Sequence, residues 1–469
     1  MKAGQHRSSL GRAILAGLGC AFVLAAPAAF AQAYTVIDLG ALGAGSCHPQ
    51  GINQAGWVTG YSYLGLYDSQ PHAFIYTNGV MQDLGTLGGS WSWGFGINNT
   101  NQVAGESYTA TGYYSSAFRW TNGVMTQIGA GVSARAGFAI NNLGHVAGYL
   151  QTGSGYAHAY LYGGSKTDLG TLGGNYSYAY GINDSDRVVG WAEVSPGGFQ
   201  LAFLWDGSMH SLGTLGGNMS HAYGINNSGQ VVGWANYTTS DNNVYRPFLY
   251  SGGMQDLGTL GGTNGQALAI NNLGQVVGSS ETTNGGTHAF FYNGTGMFDL
   301  NSLIPTNSGW TLTEATAIND NGQIVGYGTS PSGATHGFLL TPATAWQAWQ
   351  IRYFRCIDCP QTTQPADPDG DGQNNLAEFL AGTDPTNPAS VFQITSIVTT
   401  GSAISVTWTM GSGKTNALQV TTGDTSRGYT DNFTNLFIVT NTVGSVTNYL
   451  DAGGATNAPP RFYRVHLVP

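Results

Sequence analysis

Residues 168–190 read DLGTLGGNYSYAYGINDSDRVVG, and this wording returns with small changes along the first three quarters of the chain. The Ile-Asn pair within it occurs seven times, at intervals of roughly 42 to 48 residues. A His-Ala-Phe phrase and an Asp-Leu-Gly phrase, each with degenerate forms, recur with the same period. A period in the low forties with several short apolar runs is typical of a propeller blade. The sequence therefore predicts seven structural repeats.

One repeat divides into four predicted strands. Short apolar runs at 179–183, 187–191, 201–205 and 209–213 are separated by polar turns or loops. The Asp-Gly pair between the third and fourth runs is a hairpin signal. Helical periodicity is absent from this part of the sequence. Four strands in each of seven repeats predict an all-β, seven-bladed β-propeller over residues 32–341.

The order of the phrases predicts how the ring closes. Residues 34–40 match a lone fourth strand, whereas the last repeat stops after its third strand at 337–340. Pairing the two would make the N-terminal strand the last strand of the final blade and would leave no open sheet edge. An open superhelical solenoid is the alternative, but it needs capping repeats and gains nothing from this offset.

Residues 1–31 predict a secretory signal peptide, with a basic start, an apolar segment and an Ala-Phe-Ala cleavage pattern at 29–31. The chain contains 72 glycines, only 8% of its residues are charged, and its net charge is −10. Such an acidic chain is a poor candidate for binding nucleic acid or an anionic membrane. No later stretch of the sequence is apolar for long enough to span a membrane. We expect a secreted, extracellular monomer, either free or attached to the cell surface.

The repeated phrases resemble the HAF repeats of bacterial extracellular proteins. The resemblance covers about residues 34–340 and rests on Asp-Leu-Gly-Thr-Leu-Gly-Gly, Gly-Ile-Asn-Asn-x-Gly-Gln-Val-Val-Gly and His-Ala-Phe. Two repeats depart from it: Gln-Ile-Gly at 127–129 replaces Asp-Leu-Gly, and Asp-Leu-Asn at 299–301 lacks the glycine-rich continuation. The resemblance implies export and no particular activity.

Most of the repeated polar residues have structural explanations. The asparagines after each Ile, such as Asn98 and Asn226, suit turns in which the side chain bonds nearby backbone. Histidines at equivalent positions around a ring cannot converge on one metal, so we expect structural hydrogen bonds from His72, His158, His288 and His336. We expect the repeated aspartates to be turn residues rather than acid–base pairs: Asp38, Asp83, Asp168, Asp256 and Asp299.

Aromatic residues outside the repeated phrases point to binding. We place them on the variable loops between the second and third strands, at one face of the propeller, where binding residues usually lie. Flat rings suit sugar faces and protein hot spots. The alternative is that tyrosine-rich loops simply pack in this way. The candidate ligand-binding residues are Trp191, Trp234, Tyr63, Tyr113 and Tyr245.

These features predict a secreted or cell-surface binding or adhesion protein for carbohydrate or a surface partner, and not an enzyme. The first alternative is an extracellular polysaccharide-active glycosidase or lyase, with Glu106, Glu193 and Glu281 as loop carboxylates. Such an enzyme needs two carboxylates at a defined separation, and no such pair stands out in the sequence. The second alternative is a structural envelope component.

The pattern changes after residue 341. Residues 345–354 predict a short amphipathic helix with Trp346, Trp349 and Tyr353 on one face. We expect this aromatic face to dock on a neighbouring domain rather than to bind a cofactor. The helix and the linker that follows it occupy residues 342–366.

The cysteines fit an exported protein. Cys356 and Cys359 form a candidate small-loop disulfide outside the cytoplasm. A thioredoxin-like role needs a βαβ setting that is missing here, and two thiols are too few for a structural zinc site. Cys47 is then the odd cysteine of the mature chain.

Residues 367–378 fit the calcium-loop pattern D-x-D-x-D-G-x5-E throughout, and 376–380 predict a helix after the loop. Calcium takes six to eight oxygen ligands from carboxylates, backbone carbonyls and water. The candidate calcium ligands are Asp367, Asp369, Asp371, the backbone carbonyl of Gln373, Asn375 and a bidentate Glu378. The block through the Gly-Thr-Asp-Pro at 382–385 resembles thrombospondin type 3-like and dockerin-like loops. That resemblance implies Asp384 as a further ligand and calcium as a structural cofactor of segment 367–389.

Residues 390–469 return to strand-like alternation with Gly, Asn and Thr turns. Short strands over about eighty residues predict a small immunoglobulin-like β-sandwich. The closing Phe-Tyr-Arg-Val at 462–465 resembles C-terminal modules that follow calcium loops in some bacterial secreted proteins. That resemblance implies surface attachment or export sorting.

Overall fold

The computed structural model describes residues 32–468 except 44, 66–69, 112–113, 129–133, 239–243, 412, 425–427, 430–431, 441–445, 453 and 457–459. The predicted signal peptide and Tyr113 therefore lie outside the described residues. No helix among the described residues is long and apolar enough to cross a membrane.

The described part of segment 34–342 forms seven four-stranded antiparallel sheets, and the fold is all-β and propeller-like. The first sheet contains β2 (Cys47–Ile52), β3 (Val58–Tyr63), β4 (Pro71–Thr77) and β5 (Val80–Asp83). The second contains β6 (Gly88–Ile97), β7 (Val103–Thr109), β8 (Ser115–Thr121) and β9 (Val124–Gln127). The third contains β10 (Ala134–Ile140), β11 (Val146–Gln151), β12 (Ala157–Tyr162) and β13 (Lys166–Gly170). Within each of these sheets the strands pair in chain order.

The next three sheets repeat this arrangement. The fourth sheet contains β14 (Ser177–Ile182), β15 (Val188–Glu193), β16 (Gln200–Trp205) and β17 (Met209–Gly213). The fifth contains β18 (Ser220–Ile225), β19 (Val231–Asn236), β20 (Tyr245–Tyr250) and β21 (Met254–Asp256). The sixth contains β22 (Gly261–Ile270), β23 (Val276–Thr282), β24 (Thr287–Tyr292) and β25 (Met297–Asp299). The four strands predicted within one repeat are therefore confirmed.

The remaining sheet of this segment combines both of its ends. Its strands are β26 (Thr311–Ile318), β27 (Ile324–Thr329), β28 (Thr335–Pro342) and β1 (Tyr34–Asp38). β1 pairs antiparallel with β28, so that Tyr34 faces Pro342 and Asp38 faces Phe338. The side chain of Tyr34 is fully buried in the core of this sheet. The N-terminal strand thus occupies the place of the missing fourth strand.

Apolar side chains fill the space between neighbouring sheets. The aromatic residue of each His-Ala-Phe phrase has no exposed surface, and burying one such side chain contributes about 1.5–3 kcal/mol. These residues are Phe74, Phe118, Tyr160, Phe203, Phe248, Phe290 and Phe338. One large anchor per repeat holds each sheet against the next.

Each first strand has a register shift just before its Ile-Asn pair, as a β-bulge produces. In β14 the shift lies between Ala179 and Gly181. Here the second strand approaches so closely that a Cβ at Gly190 would lie 1.8 Å from the carbonyl oxygen of Tyr178. Glycine in the repeated Val-Val-Gly phrase is therefore required for this close approach.

The asparagine of each Ile-Asn pair connects one repeat to the next. As expected, its Oδ1 accepts local hydrogen bonds, as Asn183 does from the backbone amides of Ser185 and Arg187. Its Nδ2 also donates to the carbonyl oxygen of the corresponding asparagine in the following repeat, and Asn319 donates to Asn53 at 2.9 Å. The series runs Asn53, Asn98, Asn141, Asn183, Asn226, Asn271, Asn319 and back to Asn53. The local bonds are those predicted from the sequence, whereas the bonds between repeats are not predicted by it.

The repeated histidines and aspartates are structural, as predicted. Nδ1 of a third-strand histidine lies within 3.1 Å of a fourth-strand aspartate in four sheets, and the same aspartate accepts from the backbone amide two residues later. The pairs are His72–Asp83, His158–Asp168, His288–Asp299 and His336–Asp38. Asp256, which has no histidine partner among these pairs, accepts from the amide of Gly258 at 2.8 Å.

Two short helices follow the last of these sheets. α1 (Ala345–Phe354) matches the predicted helix and begins with a capping box between Thr344 and Gln347. α2 (Asn375–Ala381) follows the acidic loop. The Trp346 ring meets the ring of Phe379 in α2 edge-on, with centroids 5.1 Å apart. The aromatic face of α1 therefore packs on the helix that follows the loop.

The cysteines divide as expected. Cys356 and Cys359 are disulfide-bonded. Among the described residues Cys47 is a free thiol; it is fully buried, and burial raises its pKa far above the usual range. Cys47 is therefore a core residue.

The C-terminal residues form two antiparallel sheets. One contains β29 (Ile394–Thr400), β30 (Ala403–Thr409) and β34 (Val446–Asp451), and the other contains β31 (Thr415–Asp424), β32 (Gly428–Tyr429), β33 (Thr434–Thr440) and β35 (Arg461–Val468). Val406 and Trp408 of the first sheet share a buried apolar cluster with Leu418 of the second.

Candidate functional site

Half-buried aromatic rings form a contiguous series along the first and second strands of the sheets, here called the aromatic band. Neighbouring ring centroids lie between 4.5 and 6.4 Å apart. The band consists of Tyr327, His48, Tyr61, Trp93, Phe95, Phe138, Tyr149, Tyr178, Tyr180, Trp191, His221, Tyr223, Trp234 and Tyr245.

Strand alternation produces the band. The side chains two and four residues before each Ile-Asn isoleucine point to one side of the first strand, whereas small residues such as Ala179 and Ala222 point to the other and are buried. The residue that pairs opposite on the second strand adds a further ring, as Trp191 does opposite Tyr178. Large rings on the free side therefore stay partly exposed.

The structure changes the predicted setting of the binding residues. Trp191 and Trp234 lie within strands β15 and β19 rather than on loops, and both belong to the aromatic band. Tyr245 begins β20, and its ring lies 5.4 Å from that of Trp234. Tyr63 ends β3 and meets the band edge-on through Tyr61. The strands bring these four residues onto one surface. They lie in strands because the strands extend further into the predicted loops than the sequence indicates.

His221 lies at the centre of the largest stack in the band. Its ring is parallel to Trp191, with centroids 5.1 Å apart, and lies 4.5 Å from the ring of Trp234. Burial lowers the pKa of His221 to about 4, so the ring is neutral at pH 7. Nε2 is held by Oε1 of Gln200 at 2.8 Å. The indole N–H of Trp234 donates to the hydroxyl of Tyr223, which fixes the orientation of both rings.

The band is interrupted by three polar side chains, here called the polar notch: Gln266, Ser279 and Glu314. Gln266 and Glu314 stand four residues before the isoleucines of their repeats, where His48, Trp93, Tyr178 and His221 stand in others. Oε2 of Glu314 accepts hydrogen bonds from Gln266 and Ser279, both at 3.0 Å. Glu314 is not among the residues predicted from the sequence, although an alignment of the repeats on Ile-Asn identifies it as the one carboxylate at this position.

The three predicted loop carboxylates lie in strands and differ in role. Glu193 accepts a hydrogen bond from the backbone amide of Asn175, just before β14, and Glu281 accepts one from the amide of Asn264, within β22. Glu106 is buried in β7 opposite Trp93, and burial raises its pKa. Hydrogen bonding by Ser115 and the charge of Arg135 oppose that rise. Glu106 therefore joins the aromatic band, whereas Glu193 and Glu281 are structural.

A second surface lies where the Ile-Asn pairs meet. A cavity of about 160 Å³ is lined by the Ile-Asn pair and the following polar residue of every repeat. Those polar residues form a further series in which each side-chain oxygen accepts from the backbone amide of the preceding one: Gln54, Asn99, Asn142, Asp184, Asn227, Asn272 and Asp320. Because side-chain amides also donate to both aspartates, these groups are already satisfied by the protein.

The acidic loop brings its three aspartates together. One carboxylate oxygen from each of Asp367, Asp369 and Asp371 lies within 4.8 Å of the others. Oδ1 and Oδ2 of Asp367 accept from the amides of Gly370 and Gly372, which curls the loop around its centre. Both glycines have positive φ angles, of 76° and 91°, a region that disfavours other residues.

The donor set fits calcium. Oδ2 of Asp369, Oδ2 of Asp371 and Oε2 of Glu378 are buried oxygen atoms without a hydrogen-bond partner. Burial and then the charges of Asp369 and Asp371 raise the pKa of Glu378 to about 7. Unpaired buried carboxylates that repel one another are stable when a cation lies between them.

The other predicted ligands differ in their contacts. Asn375 donates through Nδ2 to the carbonyl oxygens of Gln361 and Thr363, which leaves Oδ1 buried and unpartnered. Gln373 donates its amide to Asp371 at 2.7 Å, and its carbonyl belongs to the same turn. Oδ1 of Asp384 accepts from the amide and hydroxyl of Thr386, so this oxygen shapes the turn after α2.

Comparison with protein families assigns the chain to one family. The family described as "Protein of unknown function (DUF3466)" matches residues 50–336, which is more than half of the chain. The protein belongs to this family. No match is found among the curated proteins.

Solved structures show distant likenesses. A mutant of AofleA from Arthrobotrys oligospora has a TM-score of 0.33 at 9% identity, over 56% of this chain and 88% of that chain. The acylaminoacyl peptidase of Pyrococcus horikoshii has a TM-score of 0.37 at 12% identity, over 54% and 45%. A mutant of the Aleuria aurantia lectin AAL in complex with Fucalpha1-6GlcNAc has a TM-score of 0.29 at 11% identity, over 66% and 91%. Scores this low support no inference about ligand or activity.

Proposed function

We propose that this protein is a secreted or cell-surface binding protein that holds carbohydrate on its aromatic band. The single observation that carries the proposal is the contiguity of partly exposed rings from Tyr327 to Tyr245. Apolar ring faces stack on the C–H faces of sugars, while neighbouring polar groups bond sugar hydroxyls. Export is supported by the predicted signal peptide at 1–31 and by the Cys356–Cys359 disulfide.

The fold holds the rings of the aromatic band in fixed orientations before a ligand binds. They project from hydrogen-bonded strands, and each is wedged between neighbours, so little side-chain freedom remains to be lost when a ligand binds. Polar groups interrupt the apolar surface at the polar notch and at Glu106. This combination suits a sugar chain better than an apolar ligand.

Replacement of two central rings tests the proposal. Trp191→Ala combined with Trp234→Ala should weaken glycan binding at least tenfold, because each lost stacking partner contributes about 1 kcal/mol. Affinity would be measured by calorimetry against oligosaccharides selected on a glycan array. Phe199→Ala is the matched control, because Phe199 is an exposed ring on the loop between β15 and β16.

The same samples separate binding from catalysis. We expect the recovered oligosaccharide to be unchanged by mass spectrometry after prolonged incubation. Shortened or unsaturated products would instead support a polysaccharide-active enzyme that uses Glu106 or Glu314. Unchanged affinity in the double variant would move the binding surface away from the aromatic band.

We further propose that the seven sheets are the blades of a closed seven-bladed propeller, with β1 as the last strand of the final blade. The pairing of β1 with β28 supports closure. So does the asparagine series, which returns from Asn319 to Asn53. The C-terminal pair of sheets would then be a separate immunoglobulin-like sandwich.

The acidic loop is proposed as a structural calcium site. Asp367, Asp369, Asp371 and Glu378 would supply carboxylate oxygens, the Gln373 carbonyl would add one more, and Asn375 would contribute directly or through water. The buried oxygens that lack partners support this assignment. The ion would hold α2 against α1 rather than take part in ligand binding.

A further inference from the structure

The polar notch places an uncompensated carboxylate within the aromatic band. Both hydrogen-bond donors to Oε2 of Glu314, the amide of Gln266 and the hydroxyl of Ser279, are neutral. None of the salt bridges among the described residues includes Glu314. The carboxylate is thus oriented by the protein without being neutralised by it.

Rings from several repeats surround this carboxylate. Burial is the main cause of the raised pKa values of Tyr61, Tyr223 and Tyr327, and the negative charge of Glu314 raises each of them further. Glu314 also pairs with Tyr327 across β26 and β27. A carboxylate that lies near several phenol groups and hydrogen-bonds to that of Tyr327 attracts an ammonium group through ion pairing and charge-assisted hydrogen bonding.

The basic groups near the band do not cancel this charge. The guanidinium of Arg135 lies 4.3 Å from the ring centroid of Tyr114 and donates to Gln151 at 2.6 Å. Burial lowers the pKa values of His48 and His221, so these band members carry no charge at pH 7. Arg135 offsets the charge of Glu106, so Glu314 is the carboxylate of this surface that has no basic partner among the described residues.

We infer that the polar notch selects a sugar that carries a protonated amine, so that the band binds amino sugars in preference to neutral or acidic ones. This inference rests on the proposed carbohydrate-binding function. The amine would lie against Glu314 and the rings of Tyr61 and Tyr327, and the sugar faces would stack along the rest of the band. N-acetylation would remove the charge, and a uronate would place a second carboxylate beside Glu314.

Three oligosaccharides of equal length test the preference by calorimetry: the glucosamine tetramer, the N-acetylglucosamine tetramer and tetragalacturonate. The wild-type protein should bind the glucosamine tetramer at least tenfold more tightly than the acetylated one, and tetragalacturonate should bind most weakly. Glu314→Gln should remove the preference, because it should weaken binding of the glucosamine tetramer at least about tenfold more than binding of the acetylated tetramer. Asp206→Asn, which neutralises an exposed carboxylate in the hairpin between β16 and β17, should change none of the three affinities.

Salt dependence provides a second measurement that needs no variant. Raising sodium chloride from 50 to 500 mM should weaken binding of the glucosamine tetramer several-fold and leave the acetylated tetramer nearly unchanged. Equal wild-type affinities for these two tetramers, or a preference that persists in Glu314→Gln, would overturn the inference and leave carbohydrate binding intact. Failure of all three tetramers to bind would overturn this inference, and the absence of binding to any oligosaccharide of the glycan array would overturn the proposed function as well.

Discussion

Single asparagine residues connect the repeats. Asn183 is buried, accepts two backbone amides within its own turn and donates to the carbonyl oxygen of Asn226 at 3.1 Å. The turn role could be predicted from the sequence, because asparagine after an apolar run is a turn signal. The bond to the next repeat could not, because it depends on how two sheets are placed side by side.

Removing one of these side chains should destabilise the repeats. Asn183→Ala leaves two backbone amides without their acceptor and removes one of the two donors to the carbonyl oxygen of Asn226, which keeps the amide of Gly229. Each such loss costs about 1–3 kcal/mol, so the free energy of unfolding should fall by at least about 2 kcal/mol in urea titrations. Ser185→Ala, an exposed change in the same turn, is the control. If both variants unfold at the same urea concentration, the asparagine series contributes little to stability.

Glu314 shows the limit of sequence reasoning at this scale. The sequence predicts Glu106, Glu193 and Glu281 as loop carboxylates, but Glu193 and Glu281 bond backbone amides. Glu314 lies in a first strand, where a polar residue among small apolar ones gives little indication of function. Its significance comes from Gln266 and Ser279, which belong to the preceding repeat.

At the scale of elements, strands were predicted well because alternation and turn residues are local signals. The ends of the second strands are less well predicted, since Trp191 and Trp234 lie in strands and not on the predicted loops. The role of β1 followed from the order of the phrases rather than from its own composition. Its pairing with β28 is the element-scale feature on which closure depends.

Deleting residues 34–40 should open the last sheet. The deletion would expose β28 as an edge, remove the buried Tyr34 and Leu39 side chains and leave His336 without Asp38. Loss of two buried side chains and a row of backbone bonds should lower the melting temperature by at least about 10 °C. Differential scanning calorimetry would measure the melting temperatures of the deletion variant and of the wild-type protein.

Deletion of residues 195–198 is the matched control. It is also a deletion, but it shortens the exposed loop between β15 and β16 and removes no strand. A 34–40 deletion that melts like this loop variant would contradict ring closure by β1.

At the scale of the whole molecule, the joint between the seven sheets and the C-terminal sheets depends on α1 and α2. Phe379 of α2 contacts Trp346 of α1, and its carbonyl oxygen accepts from Nζ of Lys414 at 3.2 Å. The helices and the acidic loop could be predicted from short motifs. Their mutual contacts could not, because aromatic spacing on a helix does not identify the surface that it covers.

Calcium removal should loosen this joint alone. Without the ion, Asp367, Asp369 and Asp371 repel one another around a buried Glu378, so segment 342–389 should become cleavable by protease at least about tenfold faster in chelator. The fragment that contains 34–342 should stay folded by circular dichroism. Glu378→Gln should reproduce the effect even with calcium present.

Asp358→Asn, an exposed acidic residue outside the loop, should behave like the wild-type protein. Equal cleavage rates with calcium and with chelator, or a calorimetric titration without calcium uptake, would refute the metal site.

The central claim is that ligand lies on the aromatic band. Hydroxyl-radical footprinting of the wild-type protein, with and without a saturating amount of the most tightly bound of the three tetramers, tests it directly because aromatic side chains report their own exposure. Oxidation of Trp191, Trp234 and Tyr327 should fall at least about threefold on binding, whereas the exposed Tyr114 and Phe199 should be unaffected. Protection confined to those two exposed rings, or to residues 394–468, would contradict the account.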